Sequence, residues 1–406
     1  STTTQLSKNV ERIEPMTPKG VFEYRLPPSK SHMIRELMLA SKSITNTEII
    51  FNGSPGEDII SMSNCLELMG VEIKKEKGKW TIKPPKNGLI APKQTINCGN
   101  SGTVARIMSV VAATFESEIT IDGDISLRKR SNAELSECLR DMGCEVSGNG
   151  FPCTIKGPIK IQNNLEIDVS NSSQPITALI LSSSDLKEEI SVKLLGKRVS
   201  KGYLKLTIDL ARKWGLKAKL KEDSIELFRW DVKSPGNVKI PSEISLYPMA
   251  ILLDKLHENL QVKIQKDDSD NLLSSILDDL ERPELKILDL INASDIITPS
   301  AALMAISNGG EIVGVEHSKG KESDRIIKTC ELLNEFSMKC ESKKDRIKLL
   351  GRDLPKRPGK SIKTHMDHRL AMTAVILATY CGAEIDDVEI IKVTHPEFMN
   401  MINELR

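Results

Sequence analysis

The stretch "CLELMGVEIKKEKGKWTIK" (Cys65–Lys83) has the pattern of a helix end, a stop at Gly70, a strand, a polar turn and a second strand. A glycine suits the stop because a helix commonly ends on a residue with positive φ, which glycine adopts without a Cβ clash. The same pattern returns in "CLRDMGCEVSGNGFPCTIKG" (Cys138–Gly157) and in "LARKWGLKAKLKEDSIELF" (Leu210–Phe228). A helix followed by a β-hairpin is therefore a repeated element of this fold.

The repeat has a long period and becomes degenerate toward the C-terminus. Gly143 and Gly215 take the place of Gly70, which sets a period of about 70 residues, longer than that of the usual solenoid repeats. A fourth copy, "LLNEFSMKCESKKDRIKLLG" (332–351), has Ser337 where the glycine is expected. A fifth candidate, "LLSSILDDLERPELKILDL" (272–290), lacks the glycine and is the weakest match.

Helical and β-rich windows alternate between these hairpins. The predicted helical windows are Ser31–Ser43, Ser101–Thr114, Ala133–Met142, Gln174–Ser183 and Lys201–Trp214, and the predicted β windows include Glu118–Asp122 and Glu189–Leu195. The pattern predicts a repeated α/β unit, with three copies before about residue 235 and degenerate copies after it. The Pro- and Gly-bearing "KSPGNVKIPS" (233–242) is the best internal boundary, and a continuous solenoid is the alternative.

Composition narrows the class of protein. A chain of 406 residues exceeds one ordinary core, so we expect two domains. A net charge of +1 and an aromatic content of 3% argue against a nucleic-acid binder. No apolar run reaches the length of a membrane span, and the first residues lack the apolar centre of a secretory signal. The eight cysteines form no C-x-x-C pair and indicate free thiols in a cytoplasmic protein.

Polar side chains collect at the start of six predicted helices. The six stretches are "PPSKSHMIREL" (27–37), "NCGNSGTVARIM" (97–108), "DISLRKRSNAEL" (124–135), "SNSSQPITAL" (170–179), "GKESDRII" (320–327) and "HMDHRLAMTA" (365–374). A helix N-terminus presents unpaired N–H groups and roughly half a positive charge. Added Ser, Gly, Lys or Arg side chains make it an anion site. Six such starts in one chain predict a ligand with several negative groups.

Each motif also has an ordinary structural explanation. Taken singly, "KESDR" is a capped helix start with Ser323 or Asp324 as the N-cap. His368 alone indicates a packed or capping histidine, and His365 with His368 is too small a cluster to predict a metal site. The ordered co-occurrence of the six motifs is what favours a ligand site.

That ordered set resembles the 5-enolpyruvylshikimate-3-phosphate synthase family from about Arg25 to Phe398. The resemblance implies an α/β fold of two similar domains, each of three βαβαββ units in an inverse α/β-barrel-like arrangement, with the active site in the interdomain cleft. It implies a first domain of residues 20–236 on the shikimate 3-phosphate side. It implies a second domain of residues 1–19 with 237–406 on the phosphoenolpyruvate side, which carries the catalytic carboxylates.

The same resemblance implies the reaction. The family moves the enolpyruvyl group of phosphoenolpyruvate onto the 5-hydroxyl of shikimate 3-phosphate and releases phosphate, in the shikimate pathway to chorismate and aromatic amino acids. Glyphosate occupies the phosphoenolpyruvate place in this family and is longer. The implied partners are the two small substrates, without nucleic acid, membrane, cofactor or metal. We expect a cytoplasmic monomer whose domains close on the substrates.

Carried over position by position, the resemblance implies three groups of site residues. Shikimate 3-phosphate would be bound by Lys30, Ser31, Arg35, Ser172, Ser173, Gln174, Ser200, Tyr203, Asp295 and Lys321. Phosphoenolpyruvate would be bound by Lys30, Gly102, Arg130, Gln174, Arg325 and Arg369, and the catalytic residues would be Asp295, Glu322 and Lys30. The family also has a phosphoenolpyruvate-binding lysine near the C-terminus, three residues before a proline, and its equivalent here is undecided. Lys392 lies four residues before Pro396, and Val393 takes the aligned place. Either a one-residue bulge returns Lys392 to the site or the role is lost.

The chemistry explains these residue types. The 5-hydroxyl must lose a proton while the methylene carbon of phosphoenolpyruvate gains one, which asks for a base and an acid on opposite sides of the reacting centre. Asp295 suits the base and Glu322 the acid, and Lys30 can share either step. The arginines and lysines neutralise two phosphates and two carboxylates, arginine through bidentate forks.

The sequence departs from the family pattern at several positions, so two alternative functions are considered. Ser131 and Ile107 stand where the family commonly has Pro, and Lys319 stands where Arg is common. The nearest rival is the enolpyruvyl transferase that acts on UDP-N-acetylglucosamine, but its reactive Cys is missing from the aligned stretch 122–135. A non-catalytic binder of anionic metabolites is the second rival. Asp295 and Glu322 argue against it, because carboxylates repel an anionic ligand.

Overall fold

The structure, a computed structural model, describes residues 10–160, 165–170, 172–186, 188–196, 201–264, 271–282, 284–315 and 324–406. Its strands are β1 (Val10–Ile13), β2 (Gly20–Tyr24), β3 (Thr47–Ile50), β4 (Glu72–Glu76), β5 (Lys79–Lys83), β6 (Ile96–Asn97), β7 (Glu118–Asp122), β8 (Glu145–Val146), β9 (Cys153–Lys156), β10 (Leu165–Asp168), β11 (Ile190–Leu195), β12 (Ala218–Leu220), β13 (Ser224–Leu227), β14 (Asn237–Lys239), β15 (Leu260–Ile264), β16 (Ile287–Asp289), β17 (Gly310–Val313), β18 (Cys340–Ser342), β19 (Arg346–Leu349) and β20 (Ala383–Asp386).

The helices confirm the predicted helical windows to within two residues at either end. They are α1 (Lys30–Lys42), α2 (Glu57–Leu68), α3 (Gly102–Ala112), α4 (Ile125–Arg128), α5 (Ala133–Asp141), α6 (Gln174–Ser182), α7 (Lys201–Lys213), α8 (Tyr247–Leu256), α9 (Asn271–Leu280), α10 (Ile297–Ile306), α11 (Arg325–Glu335), α12 (His368–Cys381) and α13 (Phe398–Asn403). Short 3₁₀ helices cover Ser183–Asp185, Ile244–Leu246, Ser294–Ile296 and Val388–Val393.

Four sheets of the described chain share one design. Their strand orders are β14–β3–β5–β4, β6–β7–β9–β8, β10–β11–β13–β12 and β16–β17–β19–β18. In each sheet the first pair is parallel and the other two pairs are antiparallel. In three of these sheets the elements follow one another in the sequence as strand, helix, strand, helix and hairpin. In the first sheet, the edge strand β14 comes instead from the distant residues 237–239. The predicted α/β fold of repeated βαβαββ units is confirmed.

The helix–hairpin copies have the predicted left-handed stops. Gly70, Gly143 and Gly215 have φ of +97°, +83° and +111°. Ser337 holds the same place in the fourth copy with φ of +62°, a conformation that is uncommon for a residue with a Cβ. The fourth copy, α11–β18–β19, is therefore confirmed. The fifth candidate is not a copy, since α9 leads to the single strand β16 at the edge of the next sheet.

The chain divides into two compact units, Pro28–Ile240 (the N-terminal unit) and Ser1–Pro27 with Pro241–Arg406 (the C-terminal unit). The sequence prediction puts the divisions between residues 19 and 20 and between residues 236 and 237. Strand pairing explains both differences. β2 pairs in parallel with β15 of the C-terminal unit, and β14 pairs in parallel with β3 of the N-terminal unit. In the C-terminal unit β1 also pairs antiparallel with β20.

Each unit has its own apolar core, built around helices that are buried on nearly every side. In the N-terminal unit these helices are α1, α3 and α6, and in the C-terminal unit they are α8, α10 and α12. A helix that is apolar all round belongs in a core. Because such helices have little solvent-exposed surface along their sides, polar side chains collect at their N-termini, and four of the six sequence motifs lie there, at the starts of α1, α3, α6 and α12. Within the described residues, no helix is long and apolar enough to cross a membrane.

Candidate functional site

The start of α1 presents Lys30 and Ser31. Ser29 caps the helix, because its hydroxyl accepts from the backbone N–H of His32 at 3.4 Å. Lys30 Nζ lies 3.2 Å from Asp58 Oδ2, and the Asp58 side chain is 4% exposed. Sequence reasoning missed Asp58, which orients the Lys30 ammonium from the start of the neighbouring helix α2.

Arg35 lies one turn further into α1 and is buried. Its Nε donates to Thr207 Oγ1 at 2.8 Å and its Nη1 donates to the Ser31 carbonyl at 2.9 Å. The guanidinium lies 5.9 Å from the centre of the Tyr203 ring. Burial lowers the pKa of Arg35 to about 10. Helix α7 thus places Tyr203 and, one turn on, Thr207 against Arg35, and the i, i+4 spacing of these two residues was a signal that sequence reasoning left unused.

The starts of α3 and α6 meet in a second cluster. Ser101 caps α3 by accepting from Val104 N at 3.1 Å. Arg106 Nη1 donates to Gln174 Oε1 at 2.6 Å, and Gln174 Nε2 donates to Thr103 Oγ1 at 3.0 Å. Burial, followed by the nearby charge of Arg130, lowers the pKa of Arg106 to about 10. The structure therefore brings the predicted residue Gln174 to the helix start that carries Gly102.

Arg130 reaches the same cluster from the segment after α4. Its Nη2 donates to the Asn100 carbonyl at 2.9 Å and lies 3.4 Å from Ser126 Oγ. Its Nε is buried and has no hydrogen-bond partner in the described chain. A Cβ added to Gly102 would run into Arg106 Nη1 and would lie 3.2 Å from Arg130 Nη1. Gly102 therefore faces the two guanidinium groups, and Arg106 is a member that the residue-by-residue resemblance did not include.

The predicted serines of α6 have different surroundings. Ser172 Oγ accepts from Gln174 N at 3.0 Å, so its hydroxyl helps to shape the helix start. Ser173 occupies the N-cap position, is 6% exposed, and makes no side-chain capping bond. Ser200 lies outside the described residues.

In the C-terminal unit, Arg325 is held between two carboxylates. It is the first residue of α11, and Asp324 caps that helix by accepting from Ile327 N at 3.4 Å, which confirms Asp324 as the N-cap. Arg325 Nη1 lies 3.0 Å from Asp295 Oδ1, and Arg325 Nε lies 3.0 Å from Asp367 Oδ2. Asp295 stands in the 3₁₀ helix before α10 with 30% of its side chain exposed.

Arg369 is the second residue of α12. Asp367 caps α12, because its Oδ1 accepts from Arg369 N at 2.9 Å. Arg369 is 3% exposed, and its guanidinium donates to Ser245 Oγ at 3.1 Å and to the Ser245 carbonyl at 3.4 Å. Asp367 thus touches Arg325 through one oxygen and the backbone of Arg369 through the other, so two of the predicted phosphoenolpyruvate ligands share one carboxylate.

The remaining predicted residues are not brought into these clusters by the described contacts. Lys392 lies in the 3₁₀ helix Val388–Val393, is half exposed, and forms an ion pair with Glu389 at 2.6 Å. Lys321 and Glu322 lie outside the described residues. In the described part of the chain, no group of three or more His, Cys, Asp or Glu side chains could hold a metal ion.

Comparison with known proteins gives the family. A family model described as EPSP synthase (3-phosphoshikimate 1-carboxyvinyltransferase) matches residues 21–246 and 232–402. The 3-phosphoshikimate 1-carboxyvinyltransferase of Methanococcus vannielii is 28% identical over 419 residues, which cover 95% of this chain and 96% of that protein. The protein of the same name from Nitrosopumilus maritimus is 29% identical over 416 residues, which cover 93% and 94%.

Solved structures share the fold. The EPSP synthase of Acinetobacter baumannii superposes with a TM-score of 0.78 at 22% identity, with 98% of each chain covered. The enolpyruvyl transferase NikO of Streptomyces tendae superposes with a TM-score of 0.73 at 11% identity, with 98% of this chain and 97% of that chain covered. The two-domain enolpyruvyl transferase fold is thereby confirmed, and the UDP-N-acetylglucosamine enolpyruvyl transferase alternative is not favoured. The chain belongs to the EPSP synthase (3-phosphoshikimate 1-carboxyvinyltransferase) family.

Proposed function

We propose that the protein transfers the enolpyruvyl group of phosphoenolpyruvate to the 5-hydroxyl of shikimate 3-phosphate and releases phosphate. Membership of the EPSP synthase family supports the reaction. The observation that carries it within the structure is a set of arginines without acidic partners. Arg35, Arg106, Arg130 and Arg369 each donate to neutral oxygens, and none of them has a carboxylate within ion-pair distance among the described residues.

A buried or half-buried guanidinium without a counter-charge is costly, and its partner is then expected to be a ligand. Arg325 differs from these four in having Asp295 and Asp367 beside it, so its assignment to phosphoenolpyruvate rests on the family resemblance instead. Four such cations match a pair of substrates that together carry two phosphates and two carboxylates. Arginine suits both groups because its planar fork donates two parallel hydrogen bonds.

We assign shikimate 3-phosphate to the start of α1 and to the helices beside it. The proposed ligands with described positions in the N-terminal unit are Lys30, Ser31, Arg35, Ser172, Ser173, Gln174 and Tyr203. Arg35 has Nε and Nη1 occupied by Thr207 and Ser31. These bonds fix the plane of the guanidinium and leave Nη2 to address an anion. Ser200 and Lys321 remain proposals from the family resemblance alone.

We assign phosphoenolpyruvate to the two remaining cation clusters. In the N-terminal unit Gly102, Arg130, Gln174 and Lys30 would contact it, with Arg106 holding Gln174 in place. In the C-terminal unit Arg325 and Arg369 would contact it. Lys392 is a weaker candidate, because its described partner is Glu389.

The proton transfers require a base and an acid. Asp295 is oriented by Arg325 and is partly exposed, so it can accept the proton that leaves the 5-hydroxyl. A proton is delivered to the methylene carbon of phosphoenolpyruvate as the 5-oxygen bonds to its neighbour, and a tetrahedral adduct results. Loss of a proton from that methyl group and loss of phosphate then give the product. Glu322 is proposed as the acid, with Lys30 able to share either step.

We further propose a cytoplasmic monomer that does not bind nucleic acid. The net charge of +1 supports the last point, since nucleic-acid binders usually carry a basic surplus. Light scattering of the purified protein at micromolar concentration tests the oligomeric state, and a mass of twice 45.0 kDa would contradict the monomer.

The deciding experiment is phosphate release from phosphoenolpyruvate in the presence of shikimate 3-phosphate, with product identified by mass spectrometry. A parallel reaction replaces shikimate 3-phosphate by UDP-N-acetylglucosamine. We expect turnover with the first acceptor and none above background with the second. The reverse pattern would identify the rival transferase, and binding of both substrates without turnover would identify a non-catalytic binder.

A further inference from the structure

A buried hydrogen-bond chain runs from Glu243 through Ser245 to Arg369. The hydroxyl of Ser245 donates to Glu243 Oε2 at 2.8 Å, and Arg369 Nη2 donates to the same hydroxyl at 3.1 Å. Arg369 Nη1 adds a bond to the Ser245 carbonyl at 3.4 Å. The exposed fractions are 9% for Glu243, 4% for Ser245 and 3% for Arg369, so water competes little with these bonds.

The donors and acceptors of this hydrogen-bond chain all point the same way, from Arg369 through Ser245 to Glu243. A serine hydroxyl has a single proton to donate and two lone pairs to accept with. That proton is donated to Glu243 Oε2, so it points toward Glu243. The lone pairs of Ser245 are then turned toward Arg369, which can only donate. Glu243 thus fixes the hydroxyl in the orientation that the guanidinium requires.

Arg369 depends on this arrangement more than an ion-paired arginine does. No carboxylate lies within ion-pair distance of it among the described residues, and its Nε is buried without a hydrogen-bond partner there. The side chain is long and has many rotamers to lose. The two bonds to Ser245 are its described side-chain hydrogen bonds, and they are made by the two terminal nitrogens. These two bonds therefore fix the orientation of the Arg369 guanidinium.

We propose that Ser245 is a positioning residue for phosphoenolpyruvate: it aims the Arg369 guanidinium at the anionic group of the substrate, and Glu243 fixes the direction of the Ser245 hydroxyl. This inference rests on the proposed function, in which Arg369 binds phosphoenolpyruvate. Ser245 itself touches Arg369 and not the reacting atoms. The 3₁₀ helix Ile244–Leu246 and the adjoining helix α8 provide the rigid support for this contact.

The test is steady-state kinetics of Ser245→Ala. We expect KM for phosphoenolpyruvate to rise about tenfold while kcat falls less than about threefold, because the lost bond involves a charged donor. The dissociation constant for shikimate 3-phosphate should stay at the wild-type value, while the melting temperature should fall by a few degrees because Glu243 and Arg369 each lose a buried hydrogen-bond partner. Ser245→Thr keeps the hydroxyl and should restore KM to within about twofold of wild type.

Two further variants sharpen the result. Glu243→Gln can donate from its amide to Ser245, which turns the hydroxyl proton toward Arg369, and it should raise KM for phosphoenolpyruvate without the loss of any serine atom. Ser182→Ala is the matched control, since Ser182 is also buried but lies at the far end of α6, and it should leave KM unchanged.

Wild-type kinetics in Ser245→Ala would overturn the inference. Equal losses of affinity for both substrates with a lowered melting temperature would also overturn it, because they would indicate a purely structural serine. If the wild-type protein releases no phosphate at all, the proposed function fails and this inference fails with it. Activity in the wild type with an unchanged Ser245→Ala variant removes the inference alone.

Discussion

Arg325 and Asp367 form an ion pair that is almost completely withdrawn from solvent, with Nε 3.0 Å from Oδ2 and exposed fractions of 1% and 0%. Arg325 begins α11 and Asp367 caps α12, so the pair ties two helix starts together. The second oxygen of Asp367 accepts from the backbone of Arg369. One carboxylate therefore neutralises a cation and caps a helix at the same time.

Asp367→Asn should separate these two roles. Asparagine is as good an N-cap as aspartate, but it removes the negative charge that faces Arg325 Nε. We expect a loss of about 3 kcal/mol in the free energy of unfolding, measured by urea denaturation, together with lower activity. Asp345→Asn, which breaks an exposed pair with Arg346, is the control and should change stability by less than about 0.5 kcal/mol. A loss no larger than that of the control would mean that the buried pair contributes nothing net.

Gly102→Ala should weaken the binding of glyphosate more than the binding of either substrate. Gly102 does not adopt a positive φ, so alanine is not strained there by the backbone. The new Cβ instead meets Arg106 and comes within 3.2 Å of Arg130 Nη1. We expect the inhibition constant of glyphosate to rise by at least about tenfold, KM for phosphoenolpyruvate to rise less, and shikimate 3-phosphate affinity to stay nearly unchanged.

The matched control for Gly102 is Gly148→Ala. A Cβ at Gly148 has no neighbour within 4 Å, and this glycine also lacks a positive φ. The control should leave all three constants unchanged. Equal losses for glyphosate and shikimate 3-phosphate in Gly102→Ala, with a lowered melting temperature, would remove Gly102 from the site.

Arg35→Lys should weaken the binding of shikimate 3-phosphate in particular. A lysine keeps the charge but cannot bond Thr207 and Ser31 while it also addresses an anion. We expect the dissociation constant of shikimate 3-phosphate, measured by titration calorimetry, to rise about tenfold to a hundredfold. Arg212→Lys, at the exposed end of α7, should have no effect. An unchanged dissociation constant for Arg35→Lys would exclude Arg35 as a ligand.

A fourth prediction concerns pH. Burial raises the pKa of Glu36 to about 7, and Trp214 Nε1 donates to its carboxyl at 2.8 Å. The folded protein therefore holds this proton up to a higher pH than the unfolded chain, so Glu36 lowers stability as pH rises from about 4.5 to about 7. Glu36→Gln, which stays neutral, should be more stable than wild type at pH 8 by up to about 3 kcal/mol, and the difference should vanish near pH 4.5.

Urea denaturation of Glu36→Gln and wild type at several pH values measures that difference. The exposed carboxylate Glu118 on β7 supplies the control, and Glu118→Gln should show no comparable trend. A stability difference for Glu36→Gln that is independent of pH would show that this carboxyl does not titrate as its burial implies.

The fifth prediction concerns metal ions. The proposed charge neutralisation comes from arginine and lysine side chains, so turnover should be the same in excess EDTA as in untreated buffer. The measurement is the phosphate-release rate before and after chelation. Loss of activity that a divalent cation restores would contradict the proposed mechanism.

The repeated hairpins were predictable because their signals are local. A glycine stop and alternating strands fall within about twenty residues, and the same short-range physics acts in every copy. Ser337 shows the limit of the local rule, since it adopts φ of +62° without being a glycine. α11 packs against β18 and β19, and the rest of the repeat was enough to predict this copy without the glycine.

The partners of the site residues were less predictable. The bonds from Arg35 to Thr207 and from Arg369 to Ser245 join residues far apart in the chain, and no local pattern marks them. Arg106 lies one turn after Gly102 on the same face of α3 and belongs to the predicted motif of residues 97–108, but the resemblance assigned it no role at the site. The bounds of the two compact units differ from the predicted domain divisions by a few residues for a related reason. The sequence of β2 or β14 indicates a strand but does not say which distant strand it will pair with.

The pairing of β1 with β20 and of β2 with β15 has a consequence for synthesis of the protein. Residues 20–24 of β2 are made before their partner at residues 260–264, and residues 10–13 of β1 are made long before their partner at residues 383–386. At ordinary elongation rates that wait is roughly 20 to 75 s. The N-terminal unit ends with β14 at residue 239 and can complete its sheets well before then. β1 is thus paired only after the N-terminal unit is complete, and the open edges of β1 and β2 are the surface that a chaperone would shield during translation.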